Sequence, residues 1–433
     1  MNILVISNNC FAQNNSNGRI LGCLFNGLED VNIRQFHIVS GANDFNICND
    51  YYHIGDKDAI KSVFHFGRKI GKRIQMDTGV TSKITKSDFG NKVKKNAFTA
   101  LIREIAWTLN KNVKPSIYSW IGTEVPDVVL LQAGDAGFMY QIAEDVSKHY
   151  NVPLVIFNTE FYYFEERNWL DDKSNSILFK IFKFRLRKTI EKVMSHAKMS
   201  IYNSDWLKSK YDDRFGKPSI SIYQSSDVHL QPKLSDVPKR LVYVGNFSFN
   251  RHLPIIEISK QLSLVSSDYI IETYGPASEG VIDELKAYPN ITYNGIIPYN
   301  EVLDIITNSK LLLLVESLDP LNSKLTEYGF STKITDYMGT GVPILAYGSI
   351  NNVGIGYLKK EQAAFVANSP EELMSTLSDA LFDNDKRLRI VETALEVSMR
   401  NHTSKSNSEK FYQVLISVVK NKDHENFYSS KFH

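Results

Sequence analysis

Short, unbroken apolar runs separated by stretches of helical spacing constrain this chain more than any other feature. In the first half the runs are NILVI (2–6), VNIRQFHIV (31–39), DVVLLQ (127–132), VPLVIFN (152–158) and MSIYNSD (199–205). RILGCLFNGL and residues 137–149 and 176–198 between them carry apolar residues at helical spacing. The pattern restarts with RLVYVGN (240–246), YIIETYG (269–275), ITYNG (291–295), LLLLV (311–315) and VPILAY (342–347). Helices over 253–263, 279–288, 299–309 and 332–340 are predicted between these runs. Apolar runs without alternation are strands buried on both faces, which implies parallel sheets covered by helices on either side. The fold class is therefore α/β, with two doubly wound Rossmann-like domains.

At 433 residues the chain is too long for one hydrophobic core. The boundary predicted from composition is the Pro- and Ser-containing stretch 216–239, a linker between an N-terminal domain (1–215) and a C-terminal domain (240–403). Residues 404–433 then form a last helix and tail. A formal charge of +2 excludes a protein that coats polyanions by bulk charge. Three cysteines near the start (Cys10, Cys23, Cys48) form neither a CxxC nor a Cys/His pattern, so a reducing, cytoplasmic setting without structural zinc is expected. The start MNILVIS lacks the basic, longer apolar character of a signal peptide, and LLLLV is far short of a membrane span.

In doubly wound domains ligands bind at the carboxyl ends of the strands, so chemistry is sought in the loops just after them. The strongest region is LLLLVESLDPLNSKLTEYGFSTKITDYMGTGVPILAYG (311–348). A strand, a loop of about 16 residues, a helix and a Gly-Thr-Gly-Val-Pro return follow one another, and a loop this long is usually functional. Ser331 and Thr332 are good N-cap types, so the helix end, with Lys333 beside it, suits a phosphate. Asp336, one turn in, is placed to accept hydrogen bonds from ribose hydroxyls.

These residues resemble the donor-binding domain of GT-B glycosyltransferases, especially the large retaining group called glycosyltransferase family 4. The resemblance covers roughly 240–385 and implies a site for a nucleotide-diphosphate sugar. Asp336 falls on the family's second acidic position. The first falls on Tyr328, leaving Glu327 or Glu316 as substitutes. In VYVGNFSFNRHLPI (242–255) Gly245 matches, Asn246 stands where the family has Arg, and Arg251 stands where it has Lys. The resemblance thus assigns Arg251 to the donor diphosphate. ETYGP with Gly275 and YNGIIPYNEV with Gly295 resemble loops that recognise the base through main-chain atoms.

The loop SNNCFAQNNSNG after the first strand is not GxGxxG, which argues against a dinucleotide-binding dehydrogenase. It resembles the polar loop on the acceptor side of GT-B enzymes, with Asn17, Gly18 and Arg19 opening the next helix. In VPLVIFNTEFYYFEER the family's His position holds Thr159, and Glu160 follows. Glu160, with Asp135 of LLQAGDAG as the rival, is the candidate general base, a role that suits inversion. Without such a base the family's retaining route, in which the leaving phosphate takes the proton, is the expectation. No metal and no cofactor beyond the donor co-substrate is expected, because Arg251, Lys333 and the helix end supply positive charge.

Residues 60–115 hold 13 Lys and Arg against Asp77, Asp88 and Glu104, a local charge of +10. In SILFKIFKFRLRKTIEKVMSHA (176–197) Leu178, Ile181, Phe182, Leu186, Ile190, Val193, Met194 and Ala197 form the predicted core stripe. Phe179 and Phe184 fall off it, among cations. Both segments suit an anionic membrane surface. The predicted function is a metal-independent glycosyltransferase acting on a glycan, lipid-linked or protein acceptor in bacterial surface polysaccharide assembly. The predicted location is cytoplasmic, peripheral on the inner face of the cell membrane, with no nucleic-acid partner. The alternatives are an inactive GT-B partner that scaffolds an active transferase, and a nucleotide-sugar epimerase. SEKFYQVLISVVKN (408–421) is expected to return to the first domain through Phe411, Val414, Leu415 and Val418.

Overall fold

A computed structural model gives the architecture for residues 1–12, 16–39, 47–75, 96–171, 176–234 and 237–429. Asp77, Asp88, Lys92, Lys94 and Lys95 of the basic segment lie outside the described residues. The chain forms two compact units, Met1–Tyr223 with Asn407–His433, and Gln224–Ser406.

The first unit is built on β1 (Asn2–Asn9), β2 (Asn32–Val39), β3 (Asp50–His53), β4 (Lys72–Gln75), β5 (Val128–Gln132), β6 (Leu154–Asn158), β7 (Met199–Tyr202) and β8 (Ser219–Ser221). Their order is β4-β3-β2-β1-β5-β6-β7-β8, and β4 is antiparallel to β3 at one edge. On β1 the strand period of two sends Leu4 and Ile6 into one core and Ile3 and Val5 into another. Each such side chain contributes roughly 1.5–3 kcal/mol when fully buried. Helices Ala97–Leu109, Gly137–His149 and Ile177–His196 contribute to the first core. The last helix, Ser404–Ser429, joins the second. Phe411, Val414, Leu415 and Val418 are buried there, and the Phe411 ring lies 5.0 Å from that of Phe25.

The second unit holds β9 (Arg240–Val244), β10 (Ile270–Tyr274), β11 (Ile291–Tyr293), β12 (Leu311–Val315), β13 (Ile344–Tyr347) and β14 (Phe365–Ala367), ordered β11-β10-β9-β12-β13-β14. All its strand pairs are parallel. In both sheets the strand order reverses beside the first strand of the unit, between β1 and β5 and between β9 and β12. Those reversals open a crevice at the carboxyl ends of the strands.

Several expectations are corrected. The stretch 216–239 is not a bare linker. It carries β8, which pairs with β7, and the N–H groups of Leu230 and Lys233 donate to Gly339 and Gly341. The loop after β12 contains a short helix, Pro320–Thr326, capped by Asp319, whose carboxylate accepts from the Asn322 N–H. In helix Ile177–His196 the buried line runs through Phe179, while Leu178 and Ile181 face solvent. Trp169 sets that rotation by packing edge-on against Phe179 at 4.9 Å. Lys183 can be buried on the same line because Glu166 pairs with it. Between residues 39 and 127 the sequence reading gives no elements. The structure places β3, β4 and helices Asp56–Ser62, Ala97–Leu109 and Val113–Ile121 there.

Candidate functional site

The crevice of the first unit is an open depression of about 280 Å³ lined by Asn8, Asn17, Gln132, Ala133, Gly134, Asp135, Glu160 and Tyr162. It brings together Asp135 and Glu160 from two loops and Asn17 from the first turn of helix Ser16–Phe25. β5 ends at Gln132, whose side-chain amide donates to the Asn17 carbonyl at 2.9 Å and ties the end of β5 to the start of helix Ser16–Phe25. After β6, Asn158 turns the chain by accepting the Glu160 N–H at 3.1 Å, which fixes where Glu160 leaves the strand. Gly18 lets its helix lie against the 10–12 backbone, since a Cβ there would stand 2.5 Å from the Cys10 carbonyl. Arg19 follows it, half-buried and outside the residues lining the depression.

Burial, and then the neighbouring Asp135 charge, push the Glu160 carboxyl up to about 7. Burial first, then the Glu160 and Asp135 charges, raise the Tyr162 hydroxyl. Near pH 7 the Glu160 carboxyl can therefore take or give a proton, while Tyr162 keeps its own. Tyr162 is absent from the sequence reading, although it stands two residues after Glu160. Glu104 is a further omission. From helix Ala97–Leu109 it accepts the N–H groups of Gly137 (2.7 Å) and Phe138 (3.1 Å), fixing the loop that carries Asp135. Burial pushes the Glu104 carboxyl up to about 7.

The crevice of the second unit collects the other candidates. Gly245, Gly275 and Gly295 follow β9, β10 and β11 side by side. The Gly275 N–H donates to the Gly295 carbonyl at 2.7 Å, and the Gly245 N–H donates to Tyr274 at 2.8 Å. Gly275 has φ 131°, and a Cβ there would sit 2.0 Å from the Gly245 carbonyl oxygen, so only glycine fits. A Cβ on Gly245 would lie 2.6 Å from the Lys333 ammonium, which locates that cation at the end of β9. The ammonium sits 4.6 Å from the centre of the Tyr243 ring. Burial pulls it down to about 8, with Glu316 opposing and Arg251 assisting the shift.

Arg251 is engaged within the protein. Its Nε and Nη2 donate to the Glu316 carboxylate at 3.0 and 3.1 Å, and its Nη1 donates to Asn246 Oδ1 at 2.9 Å. Glu316, read from sequence as a stand-in for the family's first acidic residue, therefore braces Arg251. Just before Arg251, Phe249 and Asn250 both have positive φ (60° and 57°), so the turn itself is strained. Ser331 and Thr332 precede helix Lys333–Gly339 as expected. Thr332, however, has helical angles and makes no side-chain cap, which corrects its N-cap role. Asp336 accepts the Ser226 hydroxyl at 2.7 Å. Glu327 ends helix Pro320–Thr326, and its carbonyl accepts the Val353 N–H at 2.8 Å, so its backbone tie is to the start of helix Val353–Lys360. Among the described residues no three His, Cys, Asp or Glu side chains gather as a metal site.

A profile of the glycosyl transferase-like family matches residues 261–413. No curated protein sequence matches the chain. Solved structures of similar fold include three that align with nearly the whole chain. Anabaena HepE in complex with UDP has a TM-score of 0.62 at 12% identity, covering 96% of this chain and 100% of its own. Sucrose-phosphate synthase from Thermosynechococcus elongatus gives 0.59 at 10%, covering 97% and 99%. The lipopolysaccharide outer core galactosyltransferase WaaB gives 0.55 at 14%, covering 96% and 99%. Residues 261–413 thus resemble the glycosyl transferase-like family, and over nearly its whole length the chain has the GT-B fold of these structures.

Proposed function

We propose that the chain transfers a sugar from a nucleoside-diphosphate sugar to a hydroxyl acceptor, with donor recognition in the second unit and acceptor activation in the first. The observation that carries this reading is the buried Lys333 ammonium at the end of β9, beside the Arg251–Glu316 pair. Arg251 and Glu316 pair with each other, so the Lys333 ammonium beside them adds a positive charge that burial makes costly. A diphosphate relieves that cost and, as bond breaking proceeds, gains negative charge that Lys333 stabilises. Asp336 and Ser226 hold the ribose, and Gly275 and Gly295 offer main-chain groups to the base. The complexes of HepE with UDP and UDP-glucose support a UDP-type donor.

In the first unit Glu160 accepts the proton of the acceptor hydroxyl. The acceptor oxygen then bonds to the anomeric carbon while the bond from that carbon to the diphosphate oxygen breaks, its electron pair leaving with the nucleotide. Asp135 raises the basicity of Glu160 and is held in place by Glu104 through the following backbone. This route inverts the anomeric centre. The acceptor belongs to surface-glycan or glycoconjugate chemistry, reached at a membrane surface.

The test is incubation with a series of nucleotide sugars, with and without candidate acceptors, watching for free nucleotide and the anomeric configuration of the product. Acceptor-dependent nucleotide release with an inverted linkage is expected. A changed sugar without an acceptor would point to an epimerase, and inertness with every donor to a scaffold. A retained linkage would remove Glu160 as base and leave the proton to the leaving phosphate.

A further inference from the structure

Helix Ala97–Leu109 turns Phe98, Ile102, Ile105 and Leu109 outward at spacings of four, three and four residues. Among the described residues that stripe is left uncovered, and Leu109 is 61% exposed. The neighbouring helix Ile177–His196 adds Ile177 (72%), Ile181 and Phe184 (61%). Past the other end of the stripe, the loop 63–70 adds Phe64 (86%) and Phe66 (69%). This loop is pinned there because Asn112 donates to the Ser62 and His65 carbonyls and accepts from the Arg68 N–H. Soluble proteins rarely leave so many large apolar side chains together in water.

Within these segments the charges are nearly all positive, while Asp56 pairs with Arg103, and Glu166 with Lys183 and Arg187, from outside them. Residues 60–75 and 177–188 contain no Asp or Glu, and 97–114 contain only Glu104, which points inward to Gly137 and Phe138. The exposed charges are cations such as Arg68, Lys69, Lys111, Lys180 and Arg185. A second copy of the chain on this face would set cation against cation in an isologous contact. Among the described residues no helix is long and apolar enough to cross a membrane.

We infer that this face lies on an anionic lipid surface, its apolar side chains at the acyl boundary and its cations among the headgroups. An apolar stripe among cations is the composition that such a surface selects. It deepens the acceptor reading above and rests on it only for the purpose of the contact. Glu104 sits on the buried side of the docking helix and holds the backbone next to Asp135. The helix resting on the lipid therefore also sets the acidic depression beside that surface, where a lipid-linked hydroxyl is presented.

The experiment is co-sedimentation of the full chain with phosphatidylcholine vesicles, with and without phosphatidylglycerol, at low and high salt. Binding is expected only with the anionic vesicles, and it weakens as salt rises. The double variants Phe64→Ser/Phe66→Ser, Ile177→Ser/Phe184→Ser and Lys180→Glu/Arg185→Glu should each weaken it by about tenfold or more. Their UDP affinity should stay unchanged, which shows that they are folded. Failure to bind anionic vesicles at low salt, or equal binding to neutral ones, overturns the inference. So does a concentration-dependent dimer that the same variants dissociate. Vesicle binding by a chain that releases no nucleotide would leave the surface standing while removing the transferase reading.

Discussion

The crevice between β1 and β5 and the crevice between β9 and β12 occupy equivalent places in their sheets and are furnished in opposite ways. The first is lined by two carboxylates among amides and a phenol. The second sets the buried Lys333 ammonium beside the Arg251–Glu316 pair. In each, burial moves one titrating group toward neutrality, Glu160 upward to about 7 and Lys333 downward to about 8. A fold that wanted only stability would not bury either, because desolvating a charge costs free energy unless it is fully paired. The difference teaches what each crevice lacks. The acidic one is completed by a proton donor and the basic one by an anion.

The largest effect should separate the two regions kinetically. Glu160→Gln removes the base while leaving the second unit intact, so turnover should fall by about 10²–10⁴-fold with unchanged UDP affinity. Steady-state kinetics beside calorimetric UDP titration measure both. Equal loss of affinity would merge the two regions into one. Lys333→Met is the converse. Turnover should fall by about 10²–10³-fold through loss of leaving-group stabilisation, and UDP should bind more weakly as well. Unchanged nucleotide binding would remove Lys333 from the donor site.

Asp336→Ala should cost about 1–3 kcal/mol in nucleotide affinity, since it removes a charged acceptor and leaves the Ser226 hydroxyl without its partner. The measurement is the same titration with UDP and with inorganic diphosphate. The loss should appear with UDP and not with the diphosphate, which has no ribose.

How much of this was legible in the sequence follows from the range of the forces involved. Buried strands announce themselves because an apolar run needs no partner to be recognised, and LLLLV is found where it was expected. The helix at Pro320–Thr326 is legible too, through Asp319 as N-cap and Pro320 at the first turn, although the length of the stretch suggests a loop. Long-range company was not legible. Nothing in the neighbourhood of Glu316 says that it will clasp Arg251, 65 residues earlier. Ser226 lies in the stretch read as a linker, yet reaches Asp336, 110 residues away. The rotation of helix Ile177–His196 depended on Trp169 and Glu166, both outside the helix.

The pH profile sharpens the contrast without any change in the substrates. Turnover should rise as Glu160 ionises near pH 7 and fall as Lys333 loses its proton near pH 8. Asp135 raises Glu160, so Asp135→Asn should move the acid limb to lower pH. Glu316 raises Lys333, so Glu316→Gln should move the alkaline limb to lower pH as well. Each limb should answer to its own crevice. An acid limb displaced by Glu316→Gln would break the assignment.

The smallest effect is on stability, and its sign differs between the regions. Glu160 has a folded value of about 7 against an ordinary 4.5. Its contribution is therefore intact below about pH 4.5 and is lost as pH rises through 7. Lys333 has a folded value of about 8 against 10.5, so its contribution is intact above about pH 10.5 and is lost as pH falls through 8. Removing either ionisation should stabilise the protein, but in opposite windows. Glu160→Gln should gain ~1–2 kcal/mol at pH 8, less than the full linkage value because the depression is open to water, and should gain nothing near pH 4. Lys333→Met should gain a similar ~1–2 kcal/mol at pH 7, and the gain should shrink as pH rises above 8. Urea unfolding across this range reads both curves. Gains of equal size at every pH would mean that repacking, and not the cost of a buried charge, separates the variants from the parent, and the two crevices would then no longer be distinguished by the charges they hold.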